Sequence, residues 1–436
     1  STPGFRGNTH ANIILPWYYL PLWRDFPEFW EYGAQWDQHL CSDGFVFRDK
    51  NNCLAIYSDK HDPTQEKTCR EIARFSEKDA EKWRKIWAME NSDEYQRMQM
   101  DMLFNPAEFR MSPEILTRQA ELYPKLLEAD IEPDALILSA TALRVAKEWF
   151  ESPELQSCIL RFAVSSAVDI TEPGQGGMMV GLGATLPTVG FNRGGTHMVA
   201  HAAHQLLTRM GCEFFINKHV EKILVENGAA TGIRLSDGSE IAANRLVVSA
   251  GMSPEQLLFD LIGREHVDDR TARHVELLER DFCCLMWYSF AVHEAPTYKA
   301  EAFNPDIHEC MWLGMQPDPD PIHIARECQY TKMSQWPPME DYAPTVGCHS
   351  LVDPSFAPPG KHVLQNEQLG PPAPVHTEQG WLEIKKRYAD ELIRIWEDYA
   401  PNMTWDNVIA VDTNSPLDHL RMRNLAPTGS IAGIDR

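Results

Sequence analysis

No CxxC pair occurs among the ten cysteines of this 436-residue chain, and the adjacent pair Cys283–Cys284 has no zinc-binding spacing. Reduced thiols and a cytoplasmic setting are therefore the expectation. No apolar run reaches the ~18 residues of a membrane span. The opening stretch STPGFRGNTH lacks the basic-then-apolar order of a secretion signal. Positive charge is scarce: 40 basic residues against 63 acidic ones leave a net charge of −23, which repels nucleic acid and anionic lipid. Paired carboxylates, a Ser–His–Asp order and a Cys–His motif are missing too, so nothing specific names a hydrolase. Internal repeats and low-complexity segments are absent.

What is present is the composition of a water-soluble globular protein, 43% hydrophobic and 24% charged, long enough to bury more than one core. Residues 1–60 read as irregular and extended, because Pro3, Pro16, Pro21 and Pro27 interrupt any helix. Within them Trp17–Trp36 is dense in aromatics, as a core segment or the wall of an apolar tunnel. From about 64 to 150 the period is helical. SEKDAEKWRKIW opens on Ser76 as N-cap with Asp79 at the capping-box position. A Gly-rich loop, EPGQGGMMVGLGATLPTVGFNRGG, leads to a helix with His197, His201 and His204 on one face. Period-2 patterns then predict a β-meander from CEFFI to RLVVSAG, turning at ENGAA and SDGSE. LMWYSF (285–290) reads as a buried strand. The proline-rich stretch 317–375 predicts loops around one or two strands, and WLEIKKRYADELIRIWEDYA predicts an amphipathic helix.

Four stretches, in order, resemble the phytoene-desaturase-like oxidoreductases: TPGFRGNTHAN, FSEKDAEKW, the meander HVEKILVENGAATGIRLSDGSEIAANRLVVSAG, and DPSFAPPGKHVL, the most specific. The resemblance implies an α/β fold, with a Rossmann-type FAD-binding domain joined to a mixed-sheet substrate domain with a helical cap. It also implies FAD as cofactor, hydride transfer to the flavin, and a lipophilic or aromatic small-molecule substrate. The GxGxxG turn that cradles the FAD pyrophosphate in the family is absent, as is the family's closing flavin-contacting segment. The FAD domain is thus incomplete here, and the expectation is that its ends are missing or that a second polypeptide completes the FAD site.

The same resemblance apportions the chain as follows. Residues 1–60 form an aromatic connection, 61–185 the cap and part of the substrate domain, and 186–262 the FAD-binding portion. Residues 263–415 form the rest of the substrate domain, and 416–436 begin the return to the FAD domain. It marks Arg193, Gly194, Gly195, Val220, Ala250 and Gly251 as cofactor-binding. Family position offers His10 and His197 as catalytic bases. The residues themselves leave alternatives open. Arg193 fits a surface loop, Val220 a packed strand, and Gly251 a simple turn. The histidine face could be solvent-facing, flavin-facing or metal-binding, although no carboxylate in the helix supports a metal and HExxH is absent. Two other functions stay in view: a non-catalytic subunit that completes a flavoenzyme, and a metal-dependent hydrolase. Self-association is also open.

Overall fold

The computed structural model describes residues 2–8, 11–48, 50–105, 109, 112–132, 137, 139–249, 253–278, 284–423 and 428–429. Strands run in chain order β1 (Trp36–Asp37), β2 (Cys41–Phe47), β3 (Asn52–Tyr57), β4 (Phe191–Asn192), β5 (Val220–Glu226) and β6 (Ala229–Leu235). They continue as β7 (Glu240–Ala242), β8 (Cys284–Val292), β9 (Cys310–Gln316), β10 (Thr345–Gly347), β11 (His362–Gly370) and β12 (Val408–Asn414). Seven of them form one sheet in the order β12-β8-β11-β10-β9-β2-β3. All its pairs are antiparallel except β2 with β9, so the sheet is mixed.

Alternation along β8 explains why both faces are buried. Leu285 and Trp287 face a core that includes Ile159, Phe162 and Trp83 from the helical cap. Met286, Tyr288, Phe290 and Val292 face the opposite core, covered by helix Glu378–Tyr399. Across that second core Tyr288 meets Tyr388 edge-on at 5.0 Å and Phe290 meets Trp396 at 6.1 Å. Each such fully buried side chain contributes about 1.5–3 kcal/mol.

The amphipathic helix, the buried strand and the meander form where the sequence places them, and the meander's turns carry Asn227, Gly228 and Gly238 at positive φ. Other segments differ from expectation. Residues 1–60 hold helix Pro16–Asp25 and strands β2 and β3, since proline is tolerated in a helix's first turn. The proline-rich stretch contains helix Ile322–Lys332. Ser76 caps its helix by accepting from the Asp79 N–H at 3.1 Å. The Asp79 carboxylate, however, turns away and accepts from the backbone N–H groups of Glu151 (2.8 Å) and Ser152 (2.7 Å). No strand forms over 213–216 or 246–249, the two outer segments of the meander. Their apolar side chains stand in solvent, with Phe215 66%, Ile216 82%, Leu246 73% and Val248 80% exposed.

Candidate functional site

Two of the resembling stretches and the end of the Gly-rich loop, distant in sequence, meet at one place. The N-terminal strip crosses the large sheet, where the Asn8 backbone carbonyl accepts from Trp287 Nε1 (3.0 Å) and Gln365 Nε2 (2.8 Å). Asn8 Oδ1 accepts from the N–H of Thr196 at 3.1 Å, which fixes the turn that opens the histidine helix. From the other side, Asp353 of DPSFAPPGK accepts from the Gly194 N–H at 2.7 Å and, with its second oxygen, from the Ser355 N–H at 2.9 Å. The Arg6 N–H donates to the Phe356 carbonyl at 2.8 Å, tying the strip to the same loop.

The glycine pair is required at this junction. Gly194 and Gly195 have φ of +74° and +103°, where a side chain is strained. A Cβ on Gly195 would stand 3.0 Å from both Asn8 Oδ1 and His197 Nδ1. The missing side chains let Asn8 and His197 pack against Gly195, and Met198 against Gly194, beside the start of helix His197–Arg209.

Beneath the junction lies a buried aromatic group. Phe191 stacks on His349 with centroids 5.0 Å apart at 10°, and His39 packs edge-on to Phe191 at 5.2 Å. Burial pushes His349 down to about 4 and His39 well below its usual range, and the facing His349 lowers His39 further. Both imidazoles are neutral near pH 7. Neither ring nitrogen of His39 has a hydrogen-bond partner among the described residues.

The residues marked from sequence distribute as follows. Gly194 and Gly195 form the junction. Arg193 is beside it and half-exposed, paired with Asp37, which also holds Lys60. Burial pushes the Asp37 carboxyl up, but Lys60, the Gln38 N–H and Arg193 together bring it down to about 2. His197 lies next to Gly195, exposed, its ring 5.4 Å from His201. Partial burial, His201 and Arg6 lower its pKa. His204 lies against Phe214 at 4.2 Å, and no three potential metal ligands converge among the described residues. Val220 is on β5 with its backbone paired to Leu235. His10, Ala250 and Gly251 lie outside the described residues. Sequence reasoning did not single out Asn8 or Asp353, although both sit inside resembling stretches. Nothing local signalled His39, Phe191 or His349.

A cavity of about 430 Å³ adjoins the junction, lined by Phe5, Arg6 and Asn8 on the strip and by Phe290, Val363 and Val411 on the sheet. Among the described residues no helix is long and apolar enough to cross a membrane.

No protein-family model matches the chain. Curated relatives include a subunit of the limonene dehydrogenase of Castellaniella defragrans, 24% identical over 91% of this chain and 70% of the relative. The phytoene desaturase (neurosporene-forming) of Cereibacter sphaeroides is 25% identical over 48% of this chain and 38% of the relative. Of most other curated relatives it matches, the chain spans about half the length or less. Among solved structures, an oxidoreductase from Methanosarcina mazei matches with a TM-score of 0.53 over 95% of this chain and 78% of that one, at 12% identity. In sequence the chain is similar to a limonene dehydrogenase subunit and to a phytoene desaturase, and in fold to a solved oxidoreductase.

Proposed function

We propose that this chain forms the substrate-binding and flavin-facing part of an FAD-dependent oxidoreductase acting on a lipophilic or aromatic small molecule. The observation that carries the reading is the meeting of Asn8, Gly194–Thr196 and Asp353 around a glycine pair whose positive φ strains any side chain. These residues fit the ring end of a flavin, since bare backbone and a helix N-terminus face the place where it would lie. They do not supply a phosphate cradle, because the described residues contain no GxGxxG turn. When bound, FAD would supply the hydride acceptor. This chain's own part is to position and to exclude water. Asn8 and Asp353 lock the glycine turn, the neutral Phe191–His349–His39 group backs it with an apolar, uncharged floor, and the adjoining cavity offers polar and apolar surface in similar measure. His197, beside Gly195 and with a lowered pKa, is the group placed to hold or accept a proton.

The exposed segments 213–216 and 246–249 support a second element of the reading. Their apolar side chains Phe215, Ile216, Leu246 and Val248 stand in solvent, and we infer that further polypeptide carrying the phosphate cradle covers them. The test is a visible absorption spectrum of the purified protein together with the intact mass of every chain in it. Flavin bands accompanied by additional or longer chains are the expected result. If material with such chains carries no flavin and takes up none from added FAD, the reading is wrong.

A further inference from the structure

The cavity between the N-terminal strip and the large sheet, about 430 Å³ and so of a size for a small organic ligand, has a patterned floor. Ser289 of β8 lines it and is the one residue of that strand not fully buried. Strand pairing sets Ser289 opposite Asp412 of β12. It sets Ala291 opposite Ala410 on one side and Val363 of β11 on the other. Residues opposite each other share a sheet face, with Cβ atoms about 4.5–5.5 Å apart, and Ser289 and Ala291 share it by alternation. One face thus carries a polar pair, Ser289–Asp412, beside a row of small apolar side chains, Val363–Ala291–Ala410. The strip crosses this face at Gly7, where a Cβ would stand 3.2 Å from Ser289 Oγ. Its absence leaves the hydroxyl uncovered.

Three polar groups of the cavity are accessible and under-used. Arg6 is exposed, and its guanidinium has no ion-pair or hydrogen-bond partner among the described residues, in a chain with 63 acidic side chains. Its charge reaches the junction, where it helps to lower the pKa of His197. The Ser289 hydroxyl has no partner among the described residues either. Asp412 is exposed and accepts one hydrogen bond, from Asn414 Nδ2 at 3.2 Å, which leaves its other oxygen open. Arg6 and Asp412 line one cavity with opposite charges and do not pair with each other. A ligand with only a carboxylate would leave Asp412 unanswered, and one with only an amine would leave Arg6 so. A molecule carrying both charges satisfies both.

We propose that this cavity binds the zwitterion of an amino acid with an apolar side chain. Arg6 receives the carboxylate, for which its planar fork of donors is suited. Asp412 and the Ser289 hydroxyl accept from the ammonium, which brings three donors. The hydrocarbon lies along Val363, Ala291 and Ala410. In making that molecule the substrate the inference rests on the flavin reading; the binding itself does not.

The experiment is calorimetric titration of L-phenylalanine into the purified full chain, with and without added FAD. Hydrocinnamate, which lacks the amine, and phenethylamine, which lacks the carboxylate, are titrated in parallel. The expected result is saturable binding of phenylalanine, at least about tenfold tighter than either analogue. Arg6→Gln should weaken phenylalanine about tenfold and leave phenethylamine unchanged, and Asp412→Asn should weaken phenylalanine similarly without weakening hydrocinnamate. Both side chains are exposed, and unchanged thermal unfolding of the variants confirms that they fold. No saturable binding, equal affinity for the three compounds, undiminished affinity in either variant, or a variant that weakens all three alike overturns the proposal. The titration reads binding without flavin, so its failure leaves the flavin reading standing, and missing flavin bands leave a positive titration standing.

Discussion

Glu367 lies on β11 against the helical cap, and replacing it with glutamine should stabilise the protein increasingly as pH rises. The carboxyl is buried, 7% exposed, and shares its surroundings with the buried pair Arg161–Glu327. Burial raises its pKa to about 7; the Ser165 hydroxyl and Arg161 oppose the shift and Glu327 adds to it. One guanidinium thus serves two buried carboxyls, and Glu327 takes it. In the unfolded chain Glu367 titrates near 4.5. Below that value both states hold the proton and pH has no effect through this group. Between 4.5 and 7 the unfolded chain loses its proton while the folded protein keeps it, so rising pH favours unfolding. A difference of about 2.5 units corresponds to about 3 kcal/mol, fully lost above pH 8. His323 and His349, both pushed down to about 4 by burial, act in the opposite direction between 4 and 6.5. They are common to both proteins and cancel in the difference. Urea unfolding of the native protein and Glu367→Gln at several pH values provides the measurement. The two should agree near pH 4.5 and diverge by about 3 kcal/mol at pH 8. A gap that stays constant across that range would refute the argument, because it would show that Glu367 titrates alike in both states.

Gly195→Ala places a Cβ 3.0 Å from Asn8 and His197 at φ +103°, so it should cost roughly 1–2 kcal/mol in thermal unfolding and reduce retained flavin. Phe191→Ala removes the ring packed against both His39 and His349, and a loss of about 3–5 kcal/mol in chemical unfolding is expected; a loss under about 1 kcal/mol would mean the group is not packed as described.

The large sheet was partly legible because burial on both faces leaves a mark on composition. LMWYSF has no polar break, and it became the interior of β8, with helix Glu378–Tyr399 on one face and the cap on the other. The pair β2–β3 was not legible. CSDGFVF and NNCLAIY carry strand composition, but the nearby prolines suggested irregular chain, and the structure confines those prolines to short helices and turns before β2. Asp79 shows a different failure. Its spacing from Ser76 satisfies the capping-box pattern, yet two backbone donors just before helix Pro153–Ser165 take its carboxylate instead of the local amide. A spacing rule states what a side chain can reach along its own segment, not what the rest of the fold offers it.

The same distinction separates the legible part of the site from the rest. Gly194–Gly195 could be marked because the family resemblance carries the pair, and the positive φ of both residues is its local backbone counterpart. His39 and His349, 310 positions apart in sequence, become neighbours only because β1–β4 and the turn after β10 bring both against Phe191 and against each other. No periodicity along the chain encodes such a contact. Segments 213–216 and 246–249 carry the converse lesson. Their alternation predicts strands, and their sequence is fit for strands, but a strand is a relation between two segments and not a property of one. Here the sequence specifies one side of that relation and leaves Phe215, Ile216, Leu246 and Val248 exposed.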